Sequence, residues 1–434
     1  MPKRLSSRLV SRTLAYARSF PLPVWLLVAA TLIESTGRFM VVPYLSLYMK
    51  GEGVSLGTLG LVLGAAPIAN VVFGAWGGQL SDRLGRKPVQ ILGVAISGLS
   101  MFGFALAGAN PVLLAILNFM NGMTRTFYRP ATSSALADLC PPDKRSEAFA
   151  LNRIAINLAF GMGPVLGVAI FQTRPLAGFV IAGCINLAVG LYIALAVPES
   201  APGHRKSDRL ATSHAATVSV GPGQPAEAPA PAPNLARPAG ASAWREIARD
   251  GGFWVWTAGM MFVWGAYDMI QSFLPLHLQD KQVALWAYSA ILTTNALICV
   301  FLQLPISRRL RVAPFAHAAG LSKLPFALGF IGFAVFRSPA LLIMSMVILS
   351  LGEVWGSAVQ VRFIPEHARP TLLGRYMGLS MVSELGKAFA SPAAGFLMAA
   401  SGGTTVFFMA AGMTLVGGLL LFIAGRAQDR HRPA

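Results

Sequence analysis

The chain contains twelve long apolar stretches separated by polar connections, and this pattern constrains its fold more than any other feature. A helix needs about 20 apolar residues to cross about 30 Å of hydrocarbon. The stretches reach that length and are too continuous for the period-two strands of a membrane barrel. We number them segments 1 to 12; they cover residues 24–48, 56–77, 89–109, 112–136, 147–171, 175–197, 251–277, 284–306, 314–336, 340–361, 375–400 and 404–424. The sequence therefore predicts an all-α membrane protein.

The distribution of charge predicts how these helices are oriented. With 55% hydrophobic and 12% charged residues, the chain is apolar throughout, so its net charge of +18 resides in the connections. Most Lys and Arg residues lie at both ends of the chain and after the even-numbered segments, and the alternate connections hold only Lys50, Arg174, Lys281 and Arg337. Cytoplasmic loops accumulate Lys and Arg. We therefore predict a multi-pass protein of the bacterial inner membrane with both termini cytoplasmic, and expect no nucleic-acid partner.

The segments fall into two groups of six. Between them, residues 198–248 change to a composition dominated by Ala, Pro and Gly without an apolar period, which is typical of a disordered linker. The predicted organisation is a cytoplasmic N-terminal segment at 1–23, an N-terminal six-helix bundle at 24–197, a disordered cytoplasmic linker at 198–248, a C-terminal six-helix bundle at 249–425 and a cytoplasmic tail at 426–434.

A charged motif follows segment 2. Residues 78–88 read GQLSDRLGRKP, in which glycines permit a tight turn and the charged side chains can form ion pairs. The motif resembles the G-x-L-x-D-R-x-G-R-K/R signature of the major facilitator superfamily. That resemblance implies that Asp82 meets the start of segment 11 near Arg375, and that Arg86 meets Asp138 at the end of segment 4. The conformational gate it implies consists of Gly78, Asp82, Arg83, Gly85, Arg86 and Asp138.

Two further elements narrow the resemblance to the twelve-helix drug:proton antiporter group. Gly163-Pro164-x-x-Gly167 in segment 5 is similar to the G-P-x-x-G element of that group, and Glu353 ends a Gly-Glu pair seen in many drug-efflux members. Small residues and Pro permit close helix packing and bending, so ordinary packing explains the element equally well. The group usually has an Arg early in segment 4, where this chain has Asn118.

Ionisable residues inside the segments are the candidates for function, because each costs about 2.5–3.5 kcal/mol at the bilayer centre by insertion scales. Glu34 and Arg38 are spaced i,i+4, so their side chains project from one face of the helix. They either form a substrate site or neutralise each other as a structural ion pair. We predict substrate binding and proton coupling by Glu34, Arg38, Arg125, Arg129, Asp268 and Glu353.

The carboxylates in this set differ in their predicted role. Asp268 and Glu353 have no cation nearby on their own segments, so we expect them to be the groups that change protonation. Other intramembrane charges are predicted to be structural: Arg153 can reach a loop, Lys323 is expected at the periphery, and Glu384 with Lys387 forms a self-neutralising i,i+3 pair.

Taken together, these features predict a secondary transporter of the major facilitator fold, with two six-helix bundles. We expect proton-coupled efflux of a small amphiphilic compound by alternating access, in a monomer whose partners are substrate, protons and the lipid bilayer. No cofactor, metal or enzymatic activity is expected, since no catalytic or metal-binding motif occurs. The alternatives are a non-transporting receptor or a proton-coupled importer, because residues 34–39 partly resemble the E-x-x-E-R-F element of peptide symporters.

Overall fold

The computed structural model describes residues 19–201, 240–310, 313–369 and 371–430. Within these ranges the protein is helical and has no strand, as predicted. Most of the predicted N-terminal segment, the central part of the predicted linker and the last four residues of the predicted tail lie outside the described residues.

Each predicted segment corresponds to one helix or to a broken helix. Segments 1 to 6 comprise Leu22–Val41 with Leu45–Gly51, Leu56–Leu84, Arg86–Ala107, Pro111–Leu139, Arg145–Phe171 and Pro175–Ala196. Segments 7 to 12 comprise Gly251–Ser272 with Leu274–Asp280, Leu285–Arg309, Ala316–Leu321 with Lys323–Val335, Pro339–His367, Leu373–Ser380 with Leu385–Ser401, and Gly403–Arg430. Twelve segments therefore fit the structure.

Three of the twelve segments are less apolar or less continuous than the rest. By length and hydropathy, nine helices of the described residues could each cross a membrane, and segments 4, 7 and 11 are not among them. Segment 11 is interrupted by a 3-10 turn at Met381–Glu384, and segment 7 breaks at Phe273, just before Pro275, which has no N–H to donate. Polar side chains of these three segments converge in the interior, as described below.

The connection between segments 2 and 3 is shorter than predicted. The helices end at Leu84 and resume at Arg86, so the motif is helical and only Gly85 forms the turn, with φ of +101°. A Cβ on Gly85 would lie 2.6 Å from a carboxylate oxygen of Glu199. That carboxylate accepts hydrogen bonds from the backbone N–H groups of Arg86 and Lys87 at 2.9 and 3.1 Å, which caps the start of segment 3.

The prediction of a disordered linker is wrong at its end, because residues 240–248 form a helix. Ile247 is fully buried, and its carbonyl accepts a hydrogen bond from the Trp254 indole at 3.0 Å. Glu246 forms an ion pair with Arg369 at 3.2 Å. Apolar burial and these contacts fix the last residues of the stretch against segments 7 and 10, which the low-complexity composition upstream does not indicate.

The two bundles meet along segments 2 and 11 and along segments 5 and 8. At one end Lys50 forms an ion pair with Asp280 at 2.7 Å, and we call this end the Lys50 end. The opposite end holds the motif of residues 78–88, and we call it the basic end. Segments 2 and 11 pack most closely near the middle of segment 2, where a Cβ on Gly64 would lie 2.9 Å from the backbone of segment 11. Nearer the basic end they are still in contact, since a Cβ on Gly74 would lie 3.8 Å from the Met381 side chain.

Candidate functional site

A polar cavity lies between the two bundles. Its walls come from segments 1, 2 and 4 on one side and from segments 7 and 11 on the other, and the cavity has a volume of about 90 Å³. The predicted residues Arg38, Arg125 and Asp268 meet there. The other polar lining residues are Asn70, Asn118, Asn121, Gln271, Ser272 and Lys387. We call this space the central cavity.

On the N-terminal side, one of the two lining arginines is neutralised by its own helix. The Nε atom of Arg38 lies 3.3 Å from a Glu34 carboxylate oxygen, and the Ser35 hydroxyl donates to the other oxygen at 2.8 Å. Arg38 and Glu34 are both buried. Arg125, by contrast, forms no ion pair or hydrogen bond with any residue that the structure describes.

On the C-terminal side, the lining lysine and the lining carboxylate have different kinds of partner. Lys387 contacts the Glu384 carboxylate at 2.6 Å and lies over the Trp264 ring at 4.9 Å. Asp268 accepts hydrogen bonds from the hydroxyls of Ser272 and Ser391 at 2.9 and 3.0 Å. Asp268 is therefore held by neutral donors, and these hydroxyls can also accept a hydrogen bond when the carboxyl group carries a proton.

The predicted N-terminal site divides into two. Arg125 and Arg129 are spaced i,i+4, yet Arg125 lines the central cavity while Arg129 is exposed and lines a neighbouring pocket with Glu34, Tyr128 and Asn152. Glu34 thus separates the two spaces, since its partner Arg38 lies on the central cavity. The spacing on one helix could not show this division, which depends on how segments 1 and 5 pack against segment 4.

Glu353 does not line the central cavity, and its partners come from other segments. It lies inside the C-terminal bundle, where Asn295 donates to it at 2.7 Å and the Tyr267 hydroxyl at 3.4 Å. Lys323, predicted at the periphery, is buried at 2% exposure beside this group. Gly356 makes room for the lysine: a Cβ there would lie 2.8 Å from Nζ. The sequence shows Lys323 as an isolated charge, and only the packing reveals its burial.

The predicted gate is present in its N-terminal half. Arg86 forms ion pairs with Asp82 and, at 3.2 Å, with Asp138, as the resemblance implies for Asp138. The Asp82 side chain is 67% exposed and, in the described residues, makes no contact with Arg375, which instead lies 5.5 Å from the Trp244 ring. The expected meeting of Asp82 with segment 11 is thus absent from this conformation.

Two other gate residues contribute less than predicted. A Cβ on Gly78 would meet no atom within 4 Å, and the close approach of segment 2 to segment 4 occurs at Gly77, against the Thr126 carbonyl. Arg83 is exposed. A glycine pair such as residues 77 and 78 does not itself reveal which member faces the neighbouring helix.

The segment 5 element lies where that helix crosses segments 1 and 8. A Cβ on Gly163 would lie 2.7 Å from Phe39 Cβ, and Gly167 packs against Tyr44 in the same way. The Pro164 carbonyl accepts hydrogen bonds from the hydroxyls of Tyr44 at 2.6 Å and Ser289 at 3.0 Å. The helix continues through Pro164, so the element joins the bundles in this conformation rather than bending the helix sharply.

The sequence interpretation missed part of the cavity wall. Lys387 was expected only as half of a structural pair, although it also lines the central cavity. The amides Asn118 and Asn121 lie on the same face of segment 4 as Arg125, at intervals of three, four and seven residues. That periodic polar stripe within a membrane segment was the available signal.

Comparison with known proteins supports this architecture. A family model described as Major Facilitator Superfamily matches residues 27–384. An uncharacterised MFS-type transporter of Bacillus subtilis strain 168, YqjV, is 24% identical over 401 residues, which is 91% of each chain. The quinolone resistance protein NorA of Staphylococcus aureus is 28% identical over 151 residues, covering 35% of this chain and 39% of NorA.

Solved structures share the whole fold. A bacterial homologue of the human lysosomal transporter Spinster, in an inward-facing and unoccupied conformation, superposes with a TM-score of 0.75 at 16% identity. The match covers 95% of this chain and 98% of that one. At this identity the likeness describes the fold alone.

Proposed function

We propose that this chain, which belongs to the Major Facilitator Superfamily, is a proton-coupled exporter of a small amphiphilic compound in the bacterial inner membrane. In this proposal the bundles at 24–197 and 249–425 rock about the central cavity, both termini are cytoplasmic and the protein acts as a monomer. Transport then requires a site between the bundles and a way of opening it to either side in turn.

The observation that carries the proposal is Asp268 in the central cavity. A carboxylate with only hydroxyl partners is stable at that position in either protonation state, because each serine can donate to the charged form and accept from the protonated one. Residues of both bundles line the same space. A substrate group that pairs with the ionised Asp268 carboxylate therefore competes with the proton for that carboxylate.

Coupling follows from this competition. Entry of one proton down the membrane potential yields about 2.3 kcal/mol per 100 mV, in addition to the pH gradient. If the proton reaches Asp268 from outside and substrate displaces it from inside, each cycle exports substrate at the expense of the proton gradient. The similarity to NorA, named for quinolone resistance, favours export over import.

The contacts that close the Lys50 end and the exposure of Asp82 at the basic end favour one assignment of the state that the structure represents. Lys50, Tyr44 and Ser289 hold the bundles together at one end, whereas the exposed Asp82 has no partner from segment 11 among the described residues. We assign this arrangement to a state open to the cytoplasm. In the outward-open state, Asp82 would approach segment 11 and Lys50 would leave Asp280.

The proposal is tested with purified protein in proteoliposomes. A thermal-shift screen of solutes identifies a binder, since a ligand of the folded state raises Tm by mass action. Uptake of this binder is then measured in inside-out proteoliposomes under an imposed proton gradient. Uphill uptake of the binder, with release of protons reported by an entrapped pH dye, supports the proposal. Uptake that only equilibrates the solute and moves no protons contradicts it.

A further inference from the structure

We infer that the central cavity binds a small zwitterion, with the ligand's amine on Asp268 and its anionic group on Arg125. The inference rests on the proposed function only in taking the central cavity as the substrate site. It concerns binding, so it can be tested without a proton gradient.

The cations of the cavity wall are not equivalent. Three of them line it, but Arg38 already has the Glu34 carboxylate at 3.3 Å and Lys387 has the Glu384 carboxylate at 2.6 Å. Each of these pairs is internally neutral. Arg125 is the lining cation without a carboxylate in ion-pair contact, as far as the described residues show. The Glu384 carboxylate also attracts it but is in direct contact with Lys387. The Arg125 guanidinium suits two parallel hydrogen bonds to a carboxylate or phosphate.

Two hydrogen-bond acceptors in the cavity wall can bind a cationic group of a ligand. Asp268 has hydroxyl partners and no cation within ion-pair distance among the described residues. Its charged neighbours are Lys387 and Glu384 of segment 11, which pair with each other, so the Asp268 carboxylate can still accept a ligand ammonium group. Asn121 adds a second acceptor: its side-chain oxygen is buried, lines the same cavity and has no hydrogen-bond partner. A buried polar atom without a partner is costly, and a ligand N–H would satisfy it.

The other residues that line the cavity restrict the chemistry of the ligand between its two charged groups. Amides from Asn70, Asn118 and Gln271 alternate with aliphatic side chains such as Val42 and Leu45. None of the described residues that line the cavity is aromatic, so no ring is available for stacking on a flat hydrophobic cation. The small volume of the cavity, about 90 Å³, and this mixed wall favour a short aliphatic chain between the two charged groups.

Binding of the ligand's amine to Asp268 also explains why the substrate exchanges with a proton. An ammonium group pairs with the ionised carboxylate and not with the protonated one, so binding of the zwitterion expels the proton from Asp268. A purely anionic ligand would gain from a protonated Asp268 instead, and would travel with the proton. The class of ligand and the direction of coupling are thus linked at one side chain.

The test measures binding to the detergent-purified full chain by thermal shift and equilibrium dialysis. The probes are 4-aminobutanoic acid, 5-aminopentanoic acid and norvaline, each compared with its N-acetyl derivative, which lacks the cation, and its amide, which lacks the anion. We expect at least one zwitterion to bind about tenfold or more tightly than both of its derivatives, since each removes a charge-assisted hydrogen bond. Equal binding of either derivative, or no binding across the series, overturns the inference.

Two variants test which residue binds which end of the ligand. With Arg125→Gln, the zwitterion and its amide should bind equally, and with Asp268→Asn, the zwitterion and its N-acetyl derivative should bind equally. Arg174→Gln and Asp143→Asn make the same changes at exposed positions and should keep the original ratios. Unchanged ratios in both cavity variants, with Tm values near that of the parent, contradict the assignment.

The two proposals fail separately. A zwitterion that binds and crosses the membrane without moving protons leaves this inference intact and removes proton coupling. Proton-driven transport of a solute that carries no amine or no anionic group does the reverse.

Discussion

The N-terminal and C-terminal bundles treat their buried charges differently. In the N-terminal bundle, the two buried or half-buried carboxylates Glu34 and Asp138 each pair with an arginine, Arg38 and Arg86. In the C-terminal bundle, Glu384 pairs with Lys387, but the carboxylates of Asp268 and Glu353 accept hydrogen bonds from hydroxyl and amide groups. We infer that the first bundle supplies permanent charge and the second supplies groups that gain and lose protons.

The physical reason is that an ion-pair partner and a hydroxyl partner respond differently when the buried group loses its charge. Removing the charge of one member of a buried ion pair leaves the other uncompensated, which costs about 3–5 kcal/mol. A serine hydroxyl imposes no such penalty, because it can exchange the roles of donor and acceptor. The comparison therefore predicts that substitutions of carboxylates in the C-terminal bundle change proton coupling most. Substitutions in the ion pairs of the N-terminal bundle should change stability most.

The largest expected effect is on coupling, from Asp268→Asn. The amide has nearly the shape of the protonated carboxyl group but cannot release a proton, so uphill transport should fall to the level of empty vesicles. Counterflow, which needs no proton transfer, should continue, with a lower affinity for ligands that carry an amine. The measurement is uphill uptake and counterflow in the same proteoliposomes. Proton-driven accumulation by the variant at the parent rate would contradict this role.

Glu353→Gln is the matched control within the same bundle. Because Glu353 lies outside the central cavity, its amide variant should reduce uphill transport several-fold without abolishing it. An effect as complete as that of Asp268→Asn would place the coupling group on segment 10 instead of segment 7.

The next largest effect is on stability, from Glu34→Gln. The change leaves Arg38 buried without its carboxylate, so Tm should fall by several degrees and substrate binding should weaken, given a cost of a few kcal/mol. The double variant Glu34→Gln with Arg38→Gln removes both charges and should recover part of the lost Tm. A double variant less stable than the sum of the single changes would show that the two residues are not a compensating pair.

A smaller effect is expected at the gate. Asp82→Asn should slow transport several-fold and leave membrane insertion and Tm nearly unchanged, because the side chain is 67% exposed and Arg86 retains Asp138. The loss arises if Asp82 contacts segment 11 in the outward-open state. Transport at the parent rate would exclude that contact from the cycle.

The smallest effect concerns Asp250, a carboxylate of the C-terminal bundle whose charge is fixed. It lies just before segment 7 and accepts hydrogen bonds from Tyr376 at 2.6 Å, His367 at 2.8 Å and the Phe253 N–H at 3.0 Å. Burial raises the pKa of Asp250, but these hydrogen bonds outweigh burial and lower the pKa to about 2. Its charge is therefore constant through the physiological range, unlike the charge proposed to change at Asp268.

The sign of the pH dependence follows from this depressed pKa. Asp250 stabilises the folded state above its unfolded pKa of about 3.9, and the contribution is lost as pH falls toward 2. Asp250→Asn should lower Tm modestly at pH 7, and the difference from the parent should shrink below about pH 4. A Tm difference that grows on acidification would contradict this account.

The fold was predictable from the sequence because bilayer thickness fixes helix length. Twelve apolar runs and the motif of residues 78–88 were sufficient for fold and family. Helix ends were less predictable: the motif was expected in a loop, whereas the structure extends both flanking helices up to Gly85. The Glu199 carboxylate that accepts hydrogen bonds from the start of segment 3 lies 113 residues away from Arg86 in the chain.

The site was predictable only in part. Arg38, Arg125 and Asp268 do meet, because segments that carry charges toward the interior must face one another. The sequence did not show that Glu353 lies outside the central cavity or that Arg129 lines the neighbouring pocket with Glu34. A helical period gives the relative direction of side chains on one helix and not the rotation of that helix within the bundle. The burial of Lys323 depends on space left by Gly356 on another segment, which no local pattern encodes.

Proton release on substrate binding tests the central claim most directly. The protein is equilibrated in weakly buffered detergent solution near neutral pH, and a solute identified by the thermal-shift screen is added to saturation while a pH dye is monitored. The parent protein should release protons in proportion to bound solute, up to about one per chain, and Asp268→Asn should bind solute and release none. Equal release by the variant, or none by the parent at any pH between 5 and 9, would contradict exchange at Asp268.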